Sequence, residues 1–541
     1  MEKEFISIIR IITIVQKVVF ILLIIFIYNT KLNAQQSINL NGNEVVPKIT
    51  FPGITQSDFQ DAFNVLNECL ITKLPVHGFT YPFMSPGGGY AKDWWQLDGS
   101  LTLSGAKWVN QKFAENVLKD FIEVQKPDGR IPLYGPDNIS LPFKVSSLPK
   151  LFEVGYAIVR RTNDTALVRK MYNCLKKYLD WWFSFRQDRQ IGLITGVFEE
   201  SFPVDESQLK ARAPVDLNVE VAVGCRNVAK LAKYFGDVAD YKKYTRLEQN
   251  LKVAINKYLW ADSAYYSYYI TRRKFDNRLL CDTFDPLKDN IAQSEKVNKL
   301  LKLLTDNRYF NWDENPITSA AKTDSVYNET GGVYNGKQWM GDIWTMRNES
   351  IIKGLEDIGR YDLAAYLSYK TAMLFNNNYS EFVIPSNGRG QGQLRYGWSA
   401  SQYIQIIIEH IFGVDYNKFN NTITIMPRLD KSLVGKEISL DSLLLPNSNR
   451  LNLNISNKAG KVSIRYSITG GNNNMKIILA LPENSNHKYI GSNKENHSIR
   501  LSKLIKGAAK IYEFNCGKKS EDEISFIHKI VTNISNVINI K

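Results

Sequence analysis

The sequence is poor in the side chains that build metal, nucleophile and redox centres. It has five histidines. His487, His497 and His528 fall in or beyond a C-terminal β-patterned region, while His77 and His410 stand alone and are expected to be structural. No HExxH, GxSxG or P-loop pattern occurs, which argues against zinc-peptidase, serine-hydrolase and P-loop nucleotide chemistry. The five cysteines (Cys69, Cys174, Cys225, Cys281, Cys516) are odd in number, far apart and without a CxxC pair. A structural zinc site is therefore not expected, and core size rather than cross-linking should stabilise the fold. Cys174 and Cys225 sit in apolar helical patterns and read as buried thiols.

Concentrated positive charge is also missing. The formal net charge is +14, yet the lysines are scattered and no long Lys/Arg block or nucleic-acid motif occurs, so no nucleic-acid partner is expected. Nor is there an uninterrupted apolar run of spanning length. Lys3, Arg10 and Lys17 precede the eleven apolar residues Val18–Tyr28, followed by NTKLNAQQS. Eleven residues are too few to cross a bilayer. The pattern predicts a signal peptide over 1–34, cleaved after Ala34. Export to the periplasm or exterior follows, with no stable membrane insertion after cleavage; an uncleaved anchor is the alternative.

What is present is a globular chain of 541 residues, 44% apolar and 12% aromatic, long enough for two or three domains. A signal peptide (1–34) and an N-terminal extension (35–57) lead to a helical region over 58–415. There apolar residues recur at three- and four-residue spacing across 58–72, 99–125, 165–187, 215–236, 238–260, 293–306, 343–358, 360–376 and 399–412. Long loops rich in Gly, Pro, Asp and aromatics separate them: 81–98, 126–148, 196–214, 322–342 and 377–398. Loops of this length in a compact domain are usually functional. Recurring after alternate helices, they would gather at one end of a barrel of helical hairpins. From about 418 the period changes to two, as in NTITIMPRL and KVSIRYSI, which predicts a small antiparallel β-sandwich over 416–516. Residues 517–541 read as a short helix or a tail.

The loops carry the polar chemistry. Trp95 and Asp98 lie in the first; Gln125, Asp128 and Arg130 in the second; Glu199, Glu200 and Asp205 in the third. Trp339, Asp342, Trp344 and Arg347 lie in the fourth, and Glu381 and Trp398 in the fifth. Tryptophan beside carboxylates and amides suits a carbohydrate: the ring covers a sugar's C–H face while the polar groups bond its hydroxyls. Trp95, Asp98, Gln125, Arg130, Trp339, Asp342, Arg347 and Trp398 are accordingly candidate sugar contacts. Paired carboxylates are the equipment of glycoside hydrolysis.

These segments resemble the (α/α)6-barrel glycosidases, especially glycoside hydrolase families 37 (trehalases) and 63 (α-glucosidases and mannosylglycerate hydrolases). The similarity runs through WWQLDGSLTLSG, YLDWWFSFRQDRQIGLITGVFEES, VDLNVEVAVGCRNVAKLAKYFG and YSEFVIPSNGRGQGQLRYGWSA, roughly residues 80–415. It implies a mainly α (α/α)6 toroid and an inverting hydrolase of an α-glucoside or related oligosaccharide. It also implies that Glu381, set among asparagines and glycines, is the general base. The acid is left open among Glu199, Glu200 and Asp205. Those families read Glu-Ser-Gly, one residue, then Asp, whereas here Pro203 and Val204 follow Phe202 and Asp205 falls one place late. Glucoamylases instead carry Trp-Glu-Glu, which Phe198-Glu199-Glu200 resembles. Glu200 or Asp205 is preferred. Trp339-Met340-Gly341-Asp342 replaces a Trp-Pro-containing segment, so sugar specificity does not carry over. The large N-terminal β-domain of many family 63 members has no room here. No metal or organic cofactor is expected in the chemistry, and a structural calcium is compatible with it. Two other classes fit a helical barrel: a polysaccharide lyase, and a non-catalytic carbohydrate-binding protein.

Overall fold

The computed structural model describes residues 46–529 apart from 73–78, 91, 136–143, 203–211, 330–338, 459–460, 471–475, 483–485, 493–499, 504–508 and 516–519. The expected signal peptide, Asp205, His77, His497 and Cys516 lie outside the described residues.

Amphipathic periodicity builds an outer set of helices. They are α1 (Gln56–Glu68), α3 (Gln111–Val124), α5 (Thr165–Phe185), α7 (Val238–Tyr258), α8 (Ser294–Leu304) and α11 (Tyr361–Phe375), counting α9 (Asn307–Phe310) as a single short turn. Side-chain caps set the starts of α1, α3, α5 and α7. Asp164 accepts from the Leu167 N–H at 2.9 Å and Asp237 from the Asp240 N–H at 3.1 Å. The stretch 99–125, which reads as one helix, is two: Asn110 is extended at φ −151° and its side chain caps the second helix through the Phe113 N–H at 2.9 Å.

The inner set is α2 (Gln96–Val109), α4 (Leu151–Val159), α6 (Val215–Tyr234), a kinked 3-10 segment (Cys281–Asn290), α10 (Thr345–Asp357) and α12 (Gly397–Gln405). Each packs on the next in that order and α12 packs back on α2, which closes a ring. These helices are surrounded by neighbours, so every residue of α2 is buried, including Ser100, Thr102 and Lys107. A helix wrapped on all sides has no polar face. The 281–290 segment is likewise buried from Cys281 to Asp289, whereas α4 (LFEVGYAIV) keeps Glu153, Tyr156 and Ala157 partly exposed. This is the (α/α)6 toroid.

The C-terminal part has two sheets. One runs Lys48–Thr50, Glu437–Leu445, Asn449–Lys458, Lys461–Thr469, Ser520–Lys529, Asn486–Ser492; the other Val414–Asn417, Thr422–Ile425, Lys476–Pro482, Ala509–Asn515, Arg500–Lys503. Three features depart from the sequence reading. Residues 520–529 form a strand inside the first sheet rather than a helix or tail. Lys48–Thr50 of the N-terminal extension pairs with Ser439–Asp441. Finally, Thr422–Ile425 pairs in parallel with Lys476–Leu479 in an otherwise antiparallel domain. Ion pairs at the C-terminal ends of the inner helices meet this domain: Arg160 joins Asp415, and Arg428 lies 2.9 Å from Glu356, which also holds His410.

Candidate active site

All the long loops of the sequence enter an inner segment at its N-terminal end, so the ring gathers them over one face. Glu199 sits on the loop before α6 and Glu381 on the loop before α12. Those helices are on opposite sides of the ring, and α2, which carries Asp98 in its first turn, is next to α12.

Glu381 is 8% exposed. Its Oε2 accepts from the Gln393 N–H at 3.0 Å, while among the described residues no donor reaches Oε1. Burial pushes its pKa up to about 7; the Gln393 N–H pulls it down and Asp98 adds to the rise. Asp98 is buried and accepts from the Tyr396 hydroxyl at 2.7 Å, and burial holds its pKa at about 7 against that bond. Glu199 is partly exposed and its carboxyl has no hydrogen-bond partner among the described residues. Its pKa rises to about 8, first through desolvation and then through the negative charges of Asp98 and Glu381. Asp342 is wholly buried with both carboxyl oxygens unpartnered among the described residues. Burial raises its pKa to about 8, with Glu329 and Glu381 contributing.

Glu200 is differently placed. Arg186 donates Nε to its Oε2 at 2.9 Å and Nη2 to its Oε1 at 2.8 Å. The Ser146 N–H (2.9 Å) and Val197 N–H (3.0 Å) complete the set. A carboxylate with four donors is committed to structure. The sequence preference for Glu200 as acid thus meets a side chain already in use, while the adjacent Glu199 has no hydrogen-bond partner among the described residues. The turn that aims Glu199 begins at Phe198, whose φ of +47° is unusual for a side chain of that size.

The aromatic residues form a connected wall. Trp339 stacks on Phe202 (5.9 Å, 14°), Phe202 meets Trp344 edge-on at 4.7 Å, and Trp344 lies 5.8 Å from Trp398, which meets Tyr396 at 4.9 Å. Trp95 is partly exposed between Tyr90 and Tyr134, 4.9 Å from the latter. Its neighbour Trp94 is core, packed between Phe79 and Phe121. The indole N–H groups of Trp95, Trp344 and Trp398 are buried and unpartnered among the described residues.

Three of the expected sugar contacts serve other ends. Gln125 donates 2.9 Å bonds to the carbonyls of Gly129 and Cys174, bracing its loop on α5. Arg130 is buried and donates to the Val145 carbonyl at 2.7 Å. Arg347 lies between Asp216 (2.8 Å) and Asp285 (2.9 Å) and also donates to the Phe202 carbonyl. It ties α6, the 281–290 segment and α10 together. Tyr396 and Gln393, which do touch the carboxylate cluster, stood in the quoted GQGQLRYGWSA segment without a feature that singled them out. Among the described residues no group of three or more His, Cys, Asp and Glu side chains is arranged to hold a metal.

Chemically, the arrangement offers two carboxyls that lack a full set of hydrogen-bond partners among the described residues, Glu199 and Glu381, on loops that lead into opposite helices of the ring. A family model for the mannosylglycerate hydrolase MGH1-like glycoside hydrolase domain matches residues 91–399. The structure resembles the GH63 mannosylglycerate hydrolase of Thermus thermophilus at 17% identity and TM-score 0.54, covering 64% of this chain and 99% of that one. It also resembles an α-L-rhamnosidase from Dictyoglumus thermophilum at 14% identity and TM-score 0.59, covering 90% of this chain and 50% of that one. An uncharacterized protein of Borreliella burgdorferi is 24% identical over 230 residues, 41% of this chain and 47% of that protein's length.

Proposed function

The chain belongs to the mannosylglycerate hydrolase MGH1-like glycoside hydrolase family, and from that premise we propose an inverting hydrolase of an α-linked glucoside or related oligosaccharide. Glu381 acts as general base and Glu199 as general acid. The observation that carries the assignment is the contrast between Glu199, which has no partner among the described residues, and Glu200, which accepts from Arg186, Ser146 and Val197.

The order of ionisation supports the same roles. Glu381 titrates at about 7 and Glu199 at about 8. As pH rises the base therefore loses its proton before the acid does, and the charge appearing on Glu381 helps Glu199 keep its own. In an inverting reaction Glu381 Oε1 takes a proton from water as the water attacks the anomeric carbon. Glu199 gives its proton to the departing oxygen, and the free enzyme returns when the two protons re-equilibrate with solvent. The bare carboxyl of Asp342 and the indole N–H groups of Trp95, Trp344 and Trp398 are buried polar atoms that a sugar's hydroxyls would satisfy. Glu200 is a positioning residue, fixing the turn from which Glu199 projects.

Export through the N-terminal segment belongs to the same proposal, supported by its charge–apolar–small-residue order. The test is product analysis with trehalose, other α-glucosides, mannosides, mannosylglycerate and rhamnosides, comparing wild type with Glu381→Gln. Hydrolysis of an α-glucoside that is lost in the variant is expected. Equal activity in the two proteins would remove Glu381 from the mechanism.

A further inference from the structure

The first and last loops of the barrel meet at one side chain. Gly89 donates its N–H to Gln393 Oε1 at 2.7 Å. The Gln393 N–H donates to Glu381 Oε2 at 3.0 Å, and the Glu381 N–H donates to the Gln393 carbonyl at 2.7 Å. The loops lie flush against each other, since the Gly397 N–H reaches the Pro86 carbonyl at 2.8 Å and Gly87 bridges Tyr396. This closeness explains the glycines. A Cβ on Gly88 would sit 2.7 Å from Gln393 Oε1, and one on Gly392 would sit 2.4 Å from Glu381 Oε2. Neither position admits a side chain without displacing Gln393 or the carboxylate.

We propose that Gln393 is the positioning residue of the general base: its side chain, docked on the triple-glycine loop, fixes the backbone N–H that holds Glu381 Oε2 and so leaves Oε1 aimed at water. The inference rests on Glu381 being the base. Without the anchor at Gly89, the Gln393 N–H can swing away from Oε2. The carboxylate then loses both its orientation and a donor that favours its ionised form.

The test is the pH dependence of kcat and KM on a hydrolysed glycoside, with melting temperature as the check on folding. Gln393→Met keeps the bulk of the side chain and removes the acceptor. It should lower the kcat plateau by about tenfold or more while KM stays within about twofold. The acid limb of the profile should move to higher pH, because the base has lost a stabilising donor. Gln393→Ala repeats the test should the methionine variant fail to fold. Gln393→Glu retains an acceptor at the same reach and should restore the plateau to within about threefold of wild type, with an acid limb raised by the added charge. Methionine and alanine variants with wild-type plateau and acid limb would overturn the proposal. So would a folded glutamate variant as impaired as the methionine one. Glu381→Gln separates the two levels: if it is inactive while Gln393→Met behaves as wild type, this inference alone fails. If Glu381→Gln is active, the assignment of the base fails.

Discussion

Replacing Glu199 with glutamine removes one proton donor and almost nothing else, because among the described residues the side chain has no partner whose bond would be broken. With Glu381 titrating at about 7 and Glu199 at about 8, the active form has the first ionised and the second protonated. Between those values both conditions are met together most often. Activity falls below pH 7 as the base gains its proton and above pH 8 as the acid loses its own, giving a bell. Glu199→Gln should erase the alkaline limb and leave the acid limb. General acid catalysis contributes about 10²–10⁴-fold, or roughly 3–5 kcal/mol of transition-state stabilisation. That loss should appear in full on a substrate whose leaving group is a sugar alkoxide. It should shrink to about tenfold or less on an aryl glycoside, whose phenolate departs without a proton. The assay is kcat/KM against pH on both substrate types. An equal loss on both, or an alkaline limb that survives near pH 8, would refute the assignment of Glu199 as acid.

The remaining predictions concern stability. Glu200→Ala leaves Arg186 as an unpaired, mostly buried cation and two N–H groups unsatisfied. It should cost about 3–5 kcal/mol in chemical denaturation, with catalysis impaired because the turn bearing Glu199 loosens. Asp342 keeps its proton up to about pH 8 in the folded protein, whereas an unfolded aspartate ionises near pH 4. The ionisation-linked part of its burial cost is therefore absent below pH 4 and grows as pH rises toward the folded value, up to about 4 kcal/mol at pH 7. Asp342→Asn should accordingly raise the melting temperature at pH 8, leave it nearly unchanged at pH 4, and lower activity. A melting-temperature gain equal at both pH values would contradict the linkage. Such an exchange of stability for a functional polar group is common at active sites.

The sequence was legible where burial is one-sided. Outer helices such as α5 and α7 announce themselves by a single apolar stripe and an aspartate cap. Of the inner segments, α6, α10 and α12 were also readable from their spacing, whereas two were not: α4 is apolar nearly throughout, and Cys281–Asn290 is a kinked 3-10 turn containing Pro286. The strand Ser520–Lys529 was hidden behind the run of charges that opens it, with only Ile524 and Phe526 alternating. At the site, the loops were readable because carboxylate, tryptophan and glycine cluster in sequence, while the role expected of Glu381 came from the family resemblance. Choosing between Glu199 and Glu200 was beyond it. The choice depends on Arg186 and on backbone donors at Ser146 and Val197, whose meeting is a property of the closed ring. The same holds for Arg347, whose type suits a sugar contact but whose partners, Asp216 and Asp285, arrive from distant parts of the chain.

The central claim is that Glu381 directs water to the anomeric carbon from the face opposite the bond that Glu199 protonates. Such a mechanism needs room for that water, with carboxyl groups roughly 6.5–9.5 Å apart. It leaves a stereochemical record that no mutation is needed to read. The measurement is proton NMR of the freshly released sugar from an α-linked substrate, taken before mutarotation. The account predicts that the β-anomer appears first and the α-anomer only as mutarotation proceeds; first appearance of the α-anomer would contradict it.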